Sequence, residues 1–139
     1  MIKDLVVNLG IGNPRDVAVD YAVSIAEDFG ARYRGVLAEA RPRSRRLVAC
    51  TIYEPPMFDA TTTRLIRVPL SLLNDQIVRA AARAGVDVLD LRSVCTSAAD
   101  FVRQIEPSAQ GARRIAAAVE TVVRGVPSGA AIALFGRPG

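Results

Sequence analysis

Histidine is absent from all 139 residues, so no reaction that passes a proton through an imidazole is open to this chain. Tryptophan is absent too, and aromatic residues make up 5% of a chain that is 50% hydrophobic, so the core is expected to be aliphatic, as in helix-covered parallel sheets. Two cysteines without a histidine exclude the usual zinc ligand sets, and neither a metal nor another cofactor is expected. Cys50 falls in an apolar run and Cys95 near a helix start, which reads as two buried or half-buried thiols in a reducing compartment rather than a disulfide. No apolar run reaches the roughly 18 residues that cross a bilayer. Met1, Ile2, Lys3 and Asp4 do not open a signal peptide, so a cytoplasmic protein without a membrane partner is expected. Lysine is nearly missing: all but one of the 18 basic residues are arginine, and against 14 acidic residues they leave a net charge of +4. An arginine- and alanine-rich composition accompanies GC-rich coding, and no aromatic residue is interleaved with the one dense arginine cluster to stack bases. Nucleic acid is therefore not an expected partner.

What is present reads as one α/β domain, of a size that buries roughly two thirds of the surface its unfolded chain exposes. Residues 2–9 form a short apolar run that is broken by Gly10, Gly12, Asn13 and Pro14, a strand followed by a turn with Asn13 as helix N-cap. The helix that follows places Val17, Tyr21, Ala22, Ile25 and Phe29 on an inner face and Asp16, Asp20, Glu27 and Asp28 on an outer one, and Gly30 is expected to stop it. A second strand over 33–38 would complete a right-handed βαβ unit. The arginine-rich segment 41–46 reads as an exposed loop and the clearest seam in the chain. Residues 47–53 make a third strand, ended by Glu54, Pro55 and Pro56, and 57–69 read as a loop. A helix over 70–84 carries Leu73, Ile77, Ala80, Ala81 and Ala84 inward and ends at Gly85, and 86–91 form a fourth strand. Thr96 or Ser97 caps a short helix through Val102. Pro107 and Ser108 open the last long helix, with Ala112, Ile115, Ala116, Val119, Val122 and Val123 inward and Gly125 at its end. The tail 130–135 is a candidate fifth strand. Alternating strands and helices predict a three-layer α/β/α sandwich on a parallel sheet of four or five strands.

Two resemblances divide at 41–46. The opening KDLVVNLGIGNPRDVAVDYAVSIAEDFGARYRGVLAEA resembles the start of a universal stress protein, although Gly10 stands where that family usually has an aspartate. The segments LVACTIYEPP, SLLNDQIVRAAARAGVDVLDLRSVC and IEPSAQGARRIAAAV, spanning about 47–125, resemble the C-terminal half of an SGNH (GDSL-type) hydrolase in order and spacing. In that family the last segment typically reads Asp-x-x-His-Pro-Ser-x-x-Gly. Pro107, Ser108 and Gly111 match, but Glu106 occupies the histidine position and Arg103 the aspartate position. The family's N-terminal Gly-Asp-Ser block and its oxyanion-hole Gly and Asn blocks have no counterpart. The hydrolase resemblance thus implies a domain with an incomplete catalytic site, inactive or weakly active on esters. The stress-protein resemblance implies instead a nucleotide- or anion-binding module.

The candidate chemistry follows from these readings. Glu106 is the one candidate base at the hydrolase position, and Asp100, six residues upstream, is its candidate partner. Yet two carboxylates repel where a triad needs an acid to orient a base. Glu106, Pro107 and Ser108 equally serve as a plain helix start with a carboxylate near the positive end of the dipole. Gly10, Gly12 and Asn13 offer amides to a phosphate or carboxylate, without the third glycine of a dinucleotide fingerprint. Asp90 stands at the C-terminal edge of a strand, where ligands of open α/β sheets collect, while Asn74 and Asp75 belong to the preceding helix. The partners this implies are a small ester or a nucleotide, and the apolar tail suggests a homodimer.

Overall fold

The computed structural model describes residues 17–56, 59–103, 105–125 and 132–134. The chain forms helix α1 (Val17–Ala40), strand β1 (Val48–Cys50), helix α2 (Ala60–Ala84), strand β2 (Asp87–Asp90), the short strands β3 (Phe101–Val102) and β4 (Glu106–Pro107), helix α3 (Ala109–Arg124) and strand β5 (Ile132–Leu134). β1 and β2 run parallel with Ala49 beside Val88, and β5 pairs antiparallel on the far side of β2 with Ala133 beside Leu89. β3 and β4 make a separate antiparallel ribbon.

This overturns the expected sandwich. Among the described residues the sheet has three short strands of mixed direction instead of four or five parallel ones, and helix dominates. The largest single difference is at 33–38, which is not a strand but the last third of α1. Ala22, Ile25, Ala26, Phe29, Gly30, Tyr33, Leu37 and Ala40 are buried or half-buried along one stripe of α1, and their three- and four-residue steps run straight through Gly30. Gly30 does not stop the helix; it lies where α1 meets α2, and a Cβ there would collide with the Gln76 side chain. The rings of Phe29 and Tyr33 stack one turn apart with centroids 5.6 Å from each other, whereas Tyr21, expected inside, is exposed. The strand expected at 2–9 and the Gly10, Gly12, Asn13 turn lie outside the described residues.

The expected loop 57–69 is largely helix as well. Asp59 caps α2, its carboxylate accepting from the Thr61 amide at 2.9 Å, the Thr62 amide at 3.0 Å and the Thr62 hydroxyl at 2.6 Å. Pro69 sits inside α2, where proline removes a backbone hydrogen bond and costs about 3 kcal/mol. The helix nonetheless continues past Pro69, and Ile77, Ala80 and Ala81 pack against Leu37, Ala49 and Val88. Between Ser97 and Val102 the expected helix shrinks to a 3₁₀ turn, Ala98–Asp100, that leads into β3. Both remaining helix ends are as expected: Gly85 and Gly125 adopt left-handed conformations at the C-caps of α2 and α3. The inner face of α3 is rotated from the expected one, with Gly111, Ile115, Ala118, Val119 and Val122 inward and Ala112, Ala116 and Val123 outward.

Strand alternation sends Ala49 and Val88 to the α1 and α2 side and Val48, Cys50 and Leu89 to a second cluster with Phe101, Ala118 and Val122. Arg46 ties this second layer to the sheet. Its Nη1 donates to the Val123 carbonyl in the last turn of α3 at 2.8 Å and its Nη2 to Asp87 at 3.2 Å, so one residue of the arginine-rich segment satisfies a helix C-terminus. Arg46→Ala is expected to lower the unfolding free energy by about 1–2 kcal/mol in urea titration. Arg45→Ala, at the exposed neighbour, is expected to change it by less than about 0.5 kcal/mol.

Candidate functional site

The segment from Thr96 to Arg114 folds around Asp100, which is 0% exposed. One carboxylate oxygen accepts from the Thr96 amide at 3.1 Å, the Ser97 amide at 3.0 Å and Arg114 Nη1 at 3.2 Å, and the other from Gln110 Nε2 at 3.1 Å. Burial pushes this carboxyl upward, but the Ser97 amide, Gln110, the Arg114 guanidinium and the Thr96 amide together hold it below the usual carboxylate range. Asp100 is thus a charged staple between the 3₁₀ turn and α3. Ser108 acts just as locally. Its Oγ donates to the Ala99 carbonyl at 2.6 Å and accepts from the Gly111 amide at 3.1 Å, while its own amide donates to the Asp100 carbonyl at 2.8 Å. Gly111 is required because a Cβ there would strike the Asp100 carbonyl. The matching Ser-x-x-Gly spacing is therefore a helix cap fitted over a buried aspartate.

Glu106 is not brought to Asp100 as an acid–base pair. It lies opposite Val102 in the ribbon, and both are exposed while the adjacent Phe101 is buried. Successive strand residues face opposite ways, so Glu106 points to solvent. Arg103 begins the connecting turn with φ 47°, the left-handed region.

A concave feature sits at the C-terminal ends of β1 and β2, the edge where α/β sheets collect ligands. Beyond β1, Asn74 of α2 clamps the chain: its Oδ1 accepts from the Ile52 amide at 2.7 Å and its Nδ2 donates to the Ile52 carbonyl at 3.0 Å. Thr51, directly after β1, donates from Oγ1 to Asp90 at the end of β2 at 2.8 Å and accepts from the Leu91 amide at 2.9 Å. Asp90 in turn takes Arg92 Nε at 2.8 Å and Nη2 at 2.7 Å, a bidentate pair. Arg92 holds the Asp90 carboxyl below the usual range against the upward push of part burial, with Thr51 adding to the hold. These clamps shape a cleft of about 240 Å³ whose walls include Glu54, Ile66, Arg67, Leu70, Arg92 and Thr96. Arg67 of α2 donates from Nε to Glu54 at 3.1 Å.

Of the residues expected to form a site, Asp90 and Asp100 both support this cleft from behind, one through Arg92 and the other through Thr96. Glu106 does not line it, and Gly10, Gly12 and Asn13 lie outside the described residues. The lining pair Glu54 and Arg67 was missed, since Glu54 reads as a strand terminator and Arg67 as part of a loop. The available signal was position: Glu54 and Arg92 each follow the C-terminal end of a strand. Cys95 also lines the cleft, but burial and the Asp100 charge push its thiol up, and burial does the same to Cys50. Neither is poised as a thiolate nucleophile. Among the described residues, no group of three or more His, Cys, Asp or Glu side chains is placed to hold a metal ion, and no helix is long and apolar enough to cross a membrane. Comparison with protein-family models, curated proteins and solved structures found no match.

Proposed function

We propose that this chain is an SGNH/GDSL-hydrolase-like domain whose catalytic site is incomplete and whose role is to bind a small molecule rather than to turn it over. The observation that carries the reading is Asp100. The acid nearest the hydrolase-like motif is fully buried and committed to four donors, and Glu106, at the position of the missing base, faces solvent without it. Acyl transfer needs a nucleophile held by a base and a base held by an orienting group. Ser108, matching the family's motif, is engaged as a helix cap. The parallel pairing of β1 and β2 across α2, with α3 following, also supports a hydrolase-like origin of 47–125.

The test is hydrolysis of p-nitrophenyl acetate and butyrate by the purified chain and by Glu106→Gln. Both proteins are expected to release nitrophenol at the buffer rate. A rate above buffer that drops about a hundredfold or more in Glu106→Gln, the usual scale of a lost general base, would show a working carboxylate and overturn the non-catalytic reading.

A further inference from the structure

The geometry of the rim points to its ligand: we propose that the cleft takes a short-chain organic monocarboxylate, gripped by Arg67 and Arg92, with its tail against Ile66 and Leu70. This deepens the binding role proposed above and rests on that reading. Arg67 comes from α2 and Arg92 from the turn that follows β2, so two guanidinia that are 25 positions apart in sequence line one cleft. Asp90 occupies the Nε and Nη2 edge of Arg92 and so fixes the group's orientation. A guanidinium carries five N–H donors, and those beyond that edge are what an incoming carboxylate requires. Glu54 accepts Arg67 Nε in the same way, and its charge also acts on Arg92.

Donor geometry and charge narrow the ligand class. Arg92 is balanced by Asp90 and Arg67 by Glu54, so the rim carries no excess charge and a ligand is held through the guanidinium N–H donors outside those two pairs. A carboxylate monoanion accepts from such donors while adding one negative charge, whereas a phosphate monoester adds nearly two beside Glu54. Size selects further. A volume of about 240 Å³ falls below the roughly 300–1,000 Å³ of sites for drug-sized ligands. The apolar side of the wall, Ile66 and Leu70, suits a tail of a few carbons.

The test titrates the full chain with sodium butyrate by calorimetry, with butyramide and inorganic phosphate as comparison probes. Saturable butyrate binding is expected, with butyramide and phosphate about tenfold weaker or more, and with Arg92→Gln and Arg67→Gln each about tenfold weaker for butyrate, the scale of one charged hydrogen bond. Because Arg92→Gln leaves Asp90 without its partner, its melting curve is recorded alongside; Arg67 pairs at the surface, and its variant keeps the test decisive if the first unfolds. Equal binding of butyrate and butyramide, unchanged butyrate affinity in Arg67→Gln, or no saturable butyrate response would overturn the proposal. Esterase activity together with selective butyrate binding would overturn only the non-catalytic reading, whereas buffer-rate ester hydrolysis without butyrate binding would overturn only this one.

Discussion

Asp100→Ala is expected to lower the unfolding free energy by about 2–3 kcal/mol, the scale of hydrogen bonds lost to a buried charged group whose cationic partner, Arg114, is itself half-exposed. That is a large part of the roughly 5–15 kcal/mol that holds a typical domain together. The substitution removes the shared partner of the Thr96 and Ser97 amides, the Gln110 amide group and Arg114 at once, and the carboxylate lost is itself fully buried. Urea titration measures the loss, and a change below about 1 kcal/mol would refute the staple. The same carboxyl makes stability pH-dependent with a defined sign. Its folded-state pKa lies below the unfolded value, so the native state holds the proton less readily than the unfolded chain. The stabilisation is therefore complete above the ordinary aspartate value of about 3.9 and is lost as the pH falls below it towards the folded-state pKa. The wild-type urea midpoint should drop across that acid window, and the midpoint of Asp100→Ala should drop less.

Asp100 also shows why the site was only partly legible. Sequence shows an acid six residues before Glu106 and invites an acid–base pair, but the donors that claim it come from two sides. Ser97 is local and could be read as a capping residue; Gln110 and Arg114 reach it only once α3 has folded back. Where structure is dictated locally, sequence and structure agree: Ser108 and Gly125 bracket α3, Gly85 ends α2, and the strand expected at 86–91 contains β2. Where it is dictated at a distance, they part. Gly30 looks like a helix stop because glycine is a poor helix former, yet Tyr33 and Leu37 continue the buried stripe and Gln76 occupies the space that glycine leaves. Arg67 could not be placed in a cleft while 57–69 read as a loop, because only the helical course of α2 carries it to the rim beside Arg92. Asp90 and Asp100 thus act as supports while Glu106 faces solvent, and the groups facing the cleft are those whose positions depend on tertiary packing.

Two glycines inside helices separate backbone propensity from packing, and their alanine variants are expected to move stability in opposite directions. Gly35 lies in α1 with nothing within 4 Å of where a Cβ would stand. Gly35→Ala should therefore stabilise by about 0.5–1 kcal/mol, the helix preference of alanine over glycine. Gly111, in the first turn of α3, receives the same intrinsic gain and loses it to a collision. Its Cβ would strike the Asp100 carbonyl oxygen and stand 3.0 Å from that carbonyl's carbon and 3.3 Å from the Asp100 Cα. These are backbone atoms, so no side-chain rotamer relieves the contact; either α3 lifts or the 3₁₀ turn shifts. A shift of the turn pulls the Asp100 carboxylate from its four donors, and a lift of the helix draws Gln110 and Arg114 away from it. Gly111→Ala is accordingly expected to destabilise by about 1–3 kcal/mol net, the range for overpacking a tight interior, and to be less than additive with Asp100→Ala, because part of its cost is the disruption that the first substitution already causes. Urea titrations of both glycine variants and of the Asp100, Gly111 double variant measure this. Stabilisation by Gly111→Ala comparable to that by Gly35→Ala, or full additivity with Asp100→Ala, would show that α3 does not close over Asp100 as tightly as the Ser108 cap implies.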